Sequence, residues 1–428
     1  MTPHSSILAA VGIGILLAVP RSDVVAQDDS VTYANTPAEL LPYGRFRQPY
    51  KYFFAEPVEF RGPGRDKSAP DGLEQVRIGF LAPIGGSRDA PLGRRMLNGA
   101  TLAVEEANAE GGYRGLPFVL VTRNDTGLWG ASSNQLLSLN DEGVWATLGS
   151  IDSANTHIML RLAFKLDMPL VNTGTTDPTL TETAIPWLVR VVADDRQNGY
   201  ALALRVHRQE GYTRVAVLRA NDRYGRVGSA EFVDAMKRLG VPVQFELRYA
   251  PGDTVFSAQL ERIRRASVQA VVIWGYAEEA GRIVRQMRAM GMEQAVYGAD
   301  RLVSEEFLRV AGPAAEGVVA TYPYNPTLDD PVLRDFNHRY YERFGEQPEA
   351  FAAHAYDGTN LLIQAIRRAG LNRVRIRDEL AGVTSYRGVT GEIPFDATWN
   401  DVGPVWMAEV RQGTFHFSSS PVLPVEQN

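Results

Sequence analysis

Several polar residues that can hold a small molecule sit directly after short apolar runs. Gly149-Ser150-Ile151-Asp152-Ser153 follows Ala146 to Leu148 and opens an amphipathic stretch. A helix starting there presents free amides and the positive end of its dipole, which suits a carboxylate, and the Ser153 hydroxyl adds a donor. Serine is also a preferred helix cap, so Ser153 has a purely structural reading too. The next run, Pro169 to Val171, ends in Asn172-Thr173-Gly174-Thr175-Thr176-Asp177-Pro178. Gly174 can expose backbone amides there, and Thr175 and Thr176 can donate or accept hydrogen bonds; an ordinary Thr/Asp turn is the alternative. Later in the chain, Tyr224 follows the polar turn Ala220-Asn221-Asp222-Arg223, Tyr276 follows Ile273-Trp274-Gly275, and Asp300 follows Tyr297-Gly298-Ala299. A carboxylate at a strand end can neutralise a ligand ammonium, and tyrosine offers a flat apolar wall with a polar tip. Ligands of open α/β sheets bind at the carboxyl edges of strands. Ser153, Thr175, Thr176, Tyr224, Tyr276 and Asp300 together therefore describe two facing edges of a cleft that closes on a small polar molecule.

Nothing comparable supports catalysis. The chain has no Gly-rich phosphate loop ending in Lys-Ser or Lys-Thr, no Gly-x-Ser-x-Gly, no His-Glu-x-x-His and no EF-hand loop. Its six histidines, His4, His157, His207, His338, His354 and His416, are scattered without ligand spacing. Asp125-Thr126-Gly127 spells the aspartic-protease triplet, but that chemistry needs a second carboxylate sharing one proton, and no second triplet exists. The expectation is a binding protein without catalytic residues, metal or cofactor.

The elements that must position these residues follow a βα rhythm. Apolar β-branched runs alternate with amphipathic stretches after Gln75, the pattern of a parallel sheet. Strands are expected at Val76 to Leu81, Phe118 to Thr122, Ala146 to Leu148 and Pro169 to Val171, with helices at Leu92 to Asn108, Ser132 to Asn140 and Ser153 to Leu166. A second cycle begins with a helix from Asn198 to Glu210. Strands follow at Arg214 to Leu218, Val243 to Leu247, Ala270 to Trp274, Ala295 to Tyr297 and Gly317 to Thr321, and helices at Gly228 to Leu239, Ser257 to Arg265 and Ala277 to Met290. Two long helices, Pro331 to Phe344 and Phe351 to Arg368, precede an antiparallel tail at Gly388 to Phe395 and Val405 to Val410. The fold class is α/β, with two doubly wound lobes.

Length and composition agree. A chain of 428 residues that is 45% hydrophobic exceeds one ordinary core. A formal charge of -6 offers no field for a polyanion, which disfavours nucleic acid as a partner. The chain has no cysteine, which excludes disulfides, thiolate metal sites and an N-terminal lipid anchor. Ile7 to Val19 is an apolar run shorter than the roughly 20 residues of a membrane span. Followed by Val24-Val25-Ala26, it reads as a signal peptide cleaved after Ala26, which predicts an exported, soluble periplasmic protein. Residues 27–74 form a Pro- and aromatic-rich arm, which reads as an extended cap on its own domain in preference to a docking segment.

The chain from Val76 to Phe417 resembles the periplasmic solute-binding proteins of the branched-chain amino acid (Leu/Ile/Val) type that serve ABC importers. The resemblance is carried by Ile78-Gly79-Phe80-Leu81-Ala82-Pro83, by Asn98-Gly99-Ala100-Thr101-Leu102-Ala103-Val104-Glu105-Glu106-Ala107-Asn108 leading into Gly111-Gly112, and by Asp222-Arg223-Tyr224-Gly225. Pro251-Gly252-Asp253-Thr254-Val255-Phe256-Ser257, Ala314-Ala315-Glu316-Gly317, Ala355-Tyr356-Asp357 and Gly388-Val389-Thr390-Gly391-Glu392-Ile393-Pro394-Phe395-Asp396 extend it. The resemblance implies a type I periplasmic binding protein fold: two αβα lobes, 75–194 plus 325–392 and 195–324 plus 393–428, joined by a three-strand hinge that closes on an unaltered ligand. It further implies that Ser153 and the Thr175-Thr176 turn hold a ligand carboxylate, that Tyr224 and Tyr276 approach from the other lobe, and that an acid at Asp300 takes the ammonium.

Two positions depart from that pattern. Relatives often carry Glu where this chain has the shorter Asp300, and a first-lobe aromatic wall residue is replaced by Leu92. Arg301 either pairs with Asp300 or points into the cleft, and the second case would favour an organic acid. The expected function is delivery of an amino acid or small carboxylate to an ABC permease, with a ligand sensor for a signalling partner as the alternative.

Overall fold

Val76-Arg77-Ile78-Gly79-Phe80-Leu81-Ala82 is buried at every position except Arg77, the burial expected of a parallel strand covered on both faces. The computed structural model describes residues 36–42 and 57–421, so the expected signal peptide, 1–26, lies outside the described residues. β1 (Val76–Ala82) lies inside a five-stranded sheet, flanked by β2 (Phe118–Asn124) and β3 (Thr147–Leu148); β4 (Leu170–Asn172) and β5 (Leu188–Arg190) complete the order β2-β1-β3-β4-β5. Every pairing in it is parallel.

The second sheet is seven-stranded. It contains β6 (Val215–Ala220), β7 (Phe245–Tyr249), β8 (Ala270–Trp274), β9 (Ala295–Gly298), β10 (Val319–Tyr322), β13 (Trp406–Arg411) and β14 (Thr414–Ser419), in the order β14-β13-β10-β9-β8-β6-β7. β6 to β10 pair in parallel, and β13 and β14 add antiparallel edges. Strand periodicity divides its core: Val271 and Ile273 of β8 join one apolar cluster, and Ala270, Val272 and Trp274 join the cluster on the opposite face. A hairpin of β11 (Ser385–Gly388) and β12 (Gly391–Pro394) packs with the first lobe, where Ile393 and Phe395 enter the same core as Ile78 and Phe80.

Helices cover both sheets. α1 (Ala90–Ala109) and α11 (Ala350–Ala369) lie so close that a Cβ on Gly99 would stand 2.0 Å from the Ala352 carbonyl oxygen. α2 (Trp129–Asp141) and α3 (Ser153–Lys165) pack on the other side of the first sheet. The short α4 (Thr179–Glu182) and α5 (Asp195–Ala203) bracket the exit of β5. In the second lobe come α6 (Arg223–Arg238), α7 (Ser257–Arg265), α8 (Ala277–Ala289) and α9 (Glu305–Ala311), and α10 (Pro331–Phe344) and α12 (Arg373–Ala381) return to the first.

Boundaries differ from expectation where polar residues begin or end an element. α6 starts at Arg223, not Gly228, because Asp222 caps it by accepting from the Gly225 amide at 2.8 Å. The expected helix from Asn198 begins at Asp195 and continues over Leu204–Gln209 as a wider π-type turn. The expected strand Gly388 to Phe395 is the β11–β12 hairpin turned at Gly391, whose φ of 112° favours glycine.

The chain passes between the sheets after β5, after β10 and after β12. Two of these passages touch where Arg190 bridges Asn400 in parallel, and the last one folds back on itself where Phe395 bridges Asp401. The passages enclose charge. Arg190, 0% exposed, donates to Asn400 Oδ1 at 2.7 Å and to Asp194 Oδ2 at 2.8 Å. Burial pushes the nearby Asp401 carboxyl up to about 7 from its usual 3.8, with Asp194 and Asp396 adding to the rise against Arg190 and the Gly403 amide. Between those pH values the folded chain keeps a proton that the unfolded chain has lost, so this contribution is full below about pH 4 and lost as pH rises through 7. Asp401→Asn should therefore be more stable than wild type by on the order of 4 kcal/mol at pH 8, with the gap closing toward pH 4. Thermal melts across that range check it, and a pH-independent gap would count against it.

The described parts of the arm lie on both lobes. Thr36 donates to Asp396 Oδ2 at 2.8 Å, and Leu40 packs against the second-lobe core. On the first lobe, Phe60 meets Trp187 edge-on at 5.0 Å, Arg65 pairs with Asp378 at 2.7 Å, and Asn372 donates to the Gly64 and Lys67 carbonyls.

Candidate functional site

The β3–α3 turn places Ser153 on the first lobe. Asp152, not Ser153, is the cap of α3: its side chain accepts from the Asn155 amide at 2.8 Å. Ser153 is the first helical residue, and its hydroxyl is not committed to capping. The turn itself is anchored by Ser150, which donates to Asp125 Oδ2 at 2.8 Å, so the Asp125-Thr126-Gly127 triplet serves as a support for this loop.

The turn after β4 divides its two threonines. Thr175 donates its hydroxyl to the Ser150 carbonyl at 2.8 Å and lies 2.9 Å from the Thr156 hydroxyl. Its side chain thus holds the two first-lobe loops together. Thr176 sits against the start of α5, where its carbonyl accepts from the Asp195 amide at 2.8 Å.

On the second lobe, the three expected residues form one cluster. Tyr224 lies in the first turn of α6 and donates to Asp300 Oδ1 at 2.6 Å. Tyr276, at the entry to α8, stands with its ring 5.6 Å from that of Tyr224. Asp300 opens a single 3-10 turn after β9 and is fully enclosed; burial pushes its carboxyl up, while the Arg301 charge and the Tyr224 hydroxyl pull it down.

Arg301 does both things the sequence left open. Its Nε lies 3.8 Å from Asp300 Oδ2, and its guanidinium also crosses to the first lobe, donating to Asp89 Oδ1 at 2.9 Å and lying 3.5 Å from the Ile151 carbonyl. It sits over Tyr224, Tyr276 and Phe351 at 5.1, 5.8 and 5.3 Å from the ring centroids. A second arginine, Arg88, stands 4.3 Å from the Tyr276 centroid and pairs with Glu279 at 3.3 Å. Leu92, expected as a wall residue, is half-buried against the first-lobe core.

Asp195 was missed by sequence reasoning. It is 1% exposed, and neither carboxylate oxygen has a well-formed partner. Burial, reinforced by the neighbouring Asp300, pushes its carboxyl well up. Two enclosed carboxylates side by side repel unless one holds a proton or a cation lies between them. The signal was present in Asp194-Asp195-Arg196-Gln197, where Asp194 and Gln197 form a capping box and leave the second aspartate without a structural task.

The lobes are also joined at the rim. Arg223 of α6 donates to Asp177 Oδ2 at 2.7 Å and to Thr179 Oγ1 at 2.7 Å, and lies 2.8 Å from His157 Nε2. Burial would raise the Asp177 carboxyl, but hydrogen bonds from His157 and Thr179 and the Arg223 charge hold it below the usual carboxylate range. Among the described residues no group of three or more His, Cys, Asp and Glu is arranged to hold a metal ion, and no helix is long and apolar enough to cross a membrane.

Two α/β lobes meeting over such a cleft match a known architecture, and residues 75–414 match the periplasmic binding proteins as a family. The chain belongs to that family. This binding protein is 28% identical over 344 residues to Leu/Ile/Val-binding protein homolog 2 of Brucella abortus, covering 79% of the chain and 91% of the relative. Its fold superposes on a leucine-binding protein of Thermotoga maritima with a TM-score of 0.75 and 27% identity, over 80% of this chain and 98% of that one. It is equally similar, at a TM-score of 0.75 and 27% identity, to a branched-chain amino acid transporter substrate-binding protein of Streptococcus pneumoniae solved with isoleucine, over 81% and 99% of the two chains. The fold is therefore the type I periplasmic binding protein fold, and the arm precedes the part of the binding protein that the family shares.

Proposed function

We propose that this chain is an extracytoplasmic receptor that closes its two lobes on an amino acid and delivers it, chemically unchanged, to an ABC permease. The single observation that carries the reading is the polarity of the cleft. A helix start with Ser153 stands on one lobe, and the Asp195–Asp300 carboxylates with Tyr224 stand across from it, so a carboxylate and an ammonium each have a matching partner. The relatives named above, binding proteins for leucine and other branched-chain amino acids, support the same class of ligand. The acidic pair favours an α-amino acid over a plain organic acid, because an ammonium relieves the repulsion between Asp195 and Asp300 and a second anion would not.

A ligand that binds only the folded protein stabilises it by mass action, by about 2.7 kcal/mol at a hundred times Kd. A thermal-shift screen against the common amino acids should therefore give a clear rise for at least one, and a flat response to all of them would refute the reading. Ser153→Ala should weaken that ligand by about 1 kcal/mol, one lost hydrogen bond, as measured by calorimetry. Unchanged affinity would remove Ser153 from the site.

A further inference from the structure

The Arg301–Asp89 pair lies where it can select the ligand's side chain. Three features fix its position relative to the amino acid. Arg301 reaches the Ile151 carbonyl, two residues before Ser153, so it borders the helix start that suits the carboxylate. It adjoins Asp300, so it also borders the site for the amine. The pair itself links α1 of one lobe to the turn after β9 of the other, on the side of the cleft walled by Tyr276 and Phe351. A side chain leaving a ligand held there by its carboxylate and amine would meet this pair.

The pair is enclosed and incompletely bonded. Arg301 is 8% exposed and Asp89 9%, and the buried Arg301 Nε has no hydrogen-bond partner. An aliphatic side chain would leave that donor unmet and would seal an ion pair from water. An anionic side chain would meet a cleft that already holds Asp89, Asp300 and Asp195, and it would have to displace Asp89 from Arg301. A neutral group carrying an acceptor and a donor satisfies both halves of the pair at once, its oxygen taking an arginine N–H and its own N–H reaching the Asp89 carboxylate.

We propose that Arg301 and Asp89 make this a receptor for amino acids with a neutral hydrogen-bonding side chain, above all a carboxamide, and exclude aliphatic ones. The inference rests on the amino-acid reading above and narrows it. Calorimetry of the full chain with L-glutamine, L-asparagine, L-leucine and L-glutamate tests it directly. Wild type should bind an amide amino acid at least tenfold more tightly than leucine or glutamate. Arg301→Leu should reverse the preference toward leucine, and Asp89→Asn, which frees Arg301 for a new anion, should raise glutamate affinity at least tenfold relative to glutamine. Thermal melts establish that each variant folds, and the wild-type ranking stands without them. Leucine or glutamate binding wild type as tightly as the amides, or a ranking that neither folded variant alters, overturns the inference while leaving an amino-acid receptor intact. If no amino acid binds wild type, the amino-acid reading fails, and the inference fails with it.

Discussion

Asp300→Asn is expected to weaken binding of an α-amino acid by about 2–3 kcal/mol, roughly 30- to 150-fold, the cost of losing a buried charge-assisted partner for the ammonium. The corresponding acid without the amine should change far less. The contrast follows from position: Asp300 is enclosed beneath Tyr224 and shares its site with Asp195, so asparagine keeps the shape and the Tyr224 contact but removes the charge. Burial raises both carboxyls when no cation lies between them, so an arriving ammonium favours ionisation of the pair and releases protons. Calorimetry in buffers of different ionisation enthalpy reads that release, and Asp195→Asn should abolish it. Equal losses for the amino acid and its amine-free analogue would show that Asp300 serves the fold and not the amine.

What could be read from the sequence followed from local rules. β1 and β8 were visible because strands covered on both faces need largely apolar runs, and Ala270 to Trp274 matches its strand residue for residue. Ser153, Thr176, Tyr224, Tyr276 and Asp300 were singled out because they follow such runs, at the strand edges where open α/β sheets bind ligands. β5 was hidden: it ends in Arg190, a charge that sequence logic assigns to the surface, and only the partners supplied by distant parts of the chain allow its burial. The partner of Arg301 across the lobes, Asp89, was hidden for the same reason. Asp89 and Arg301 are 212 positions apart, and no periodicity connects them. The task of the Thr175 hydroxyl was hidden likewise, since its acceptor, the Ser150 carbonyl, lies 25 positions earlier in the chain.

Arg190→Met is expected to cost about 3–5 kcal/mol of stability, the usual penalty for removing one member of a buried ionic network. The arginine holds the passages between the lobes together: it bonds Asn400 from one passage and Asp194 from another, and it reaches the Asp177 carbonyl and Thr181 of the first lobe. Methionine fills similar space but leaves Asp194, whose carboxyl Arg190 and Arg196 together hold below the usual range against its burial, with only Arg196 as a cation. If the penalty is that stranded carboxylate, then removing it should restore stability, so Arg190→Met combined with Asp194→Asn should recover a substantial part of the loss. Chemical denaturation of the two variants decides the matter. A double variant no more stable than the single one would mean that Arg190 acts through its hydrogen bonds to Asn400 and the Asp177 carbonyl, and that the hinge is held by geometry more than by charge.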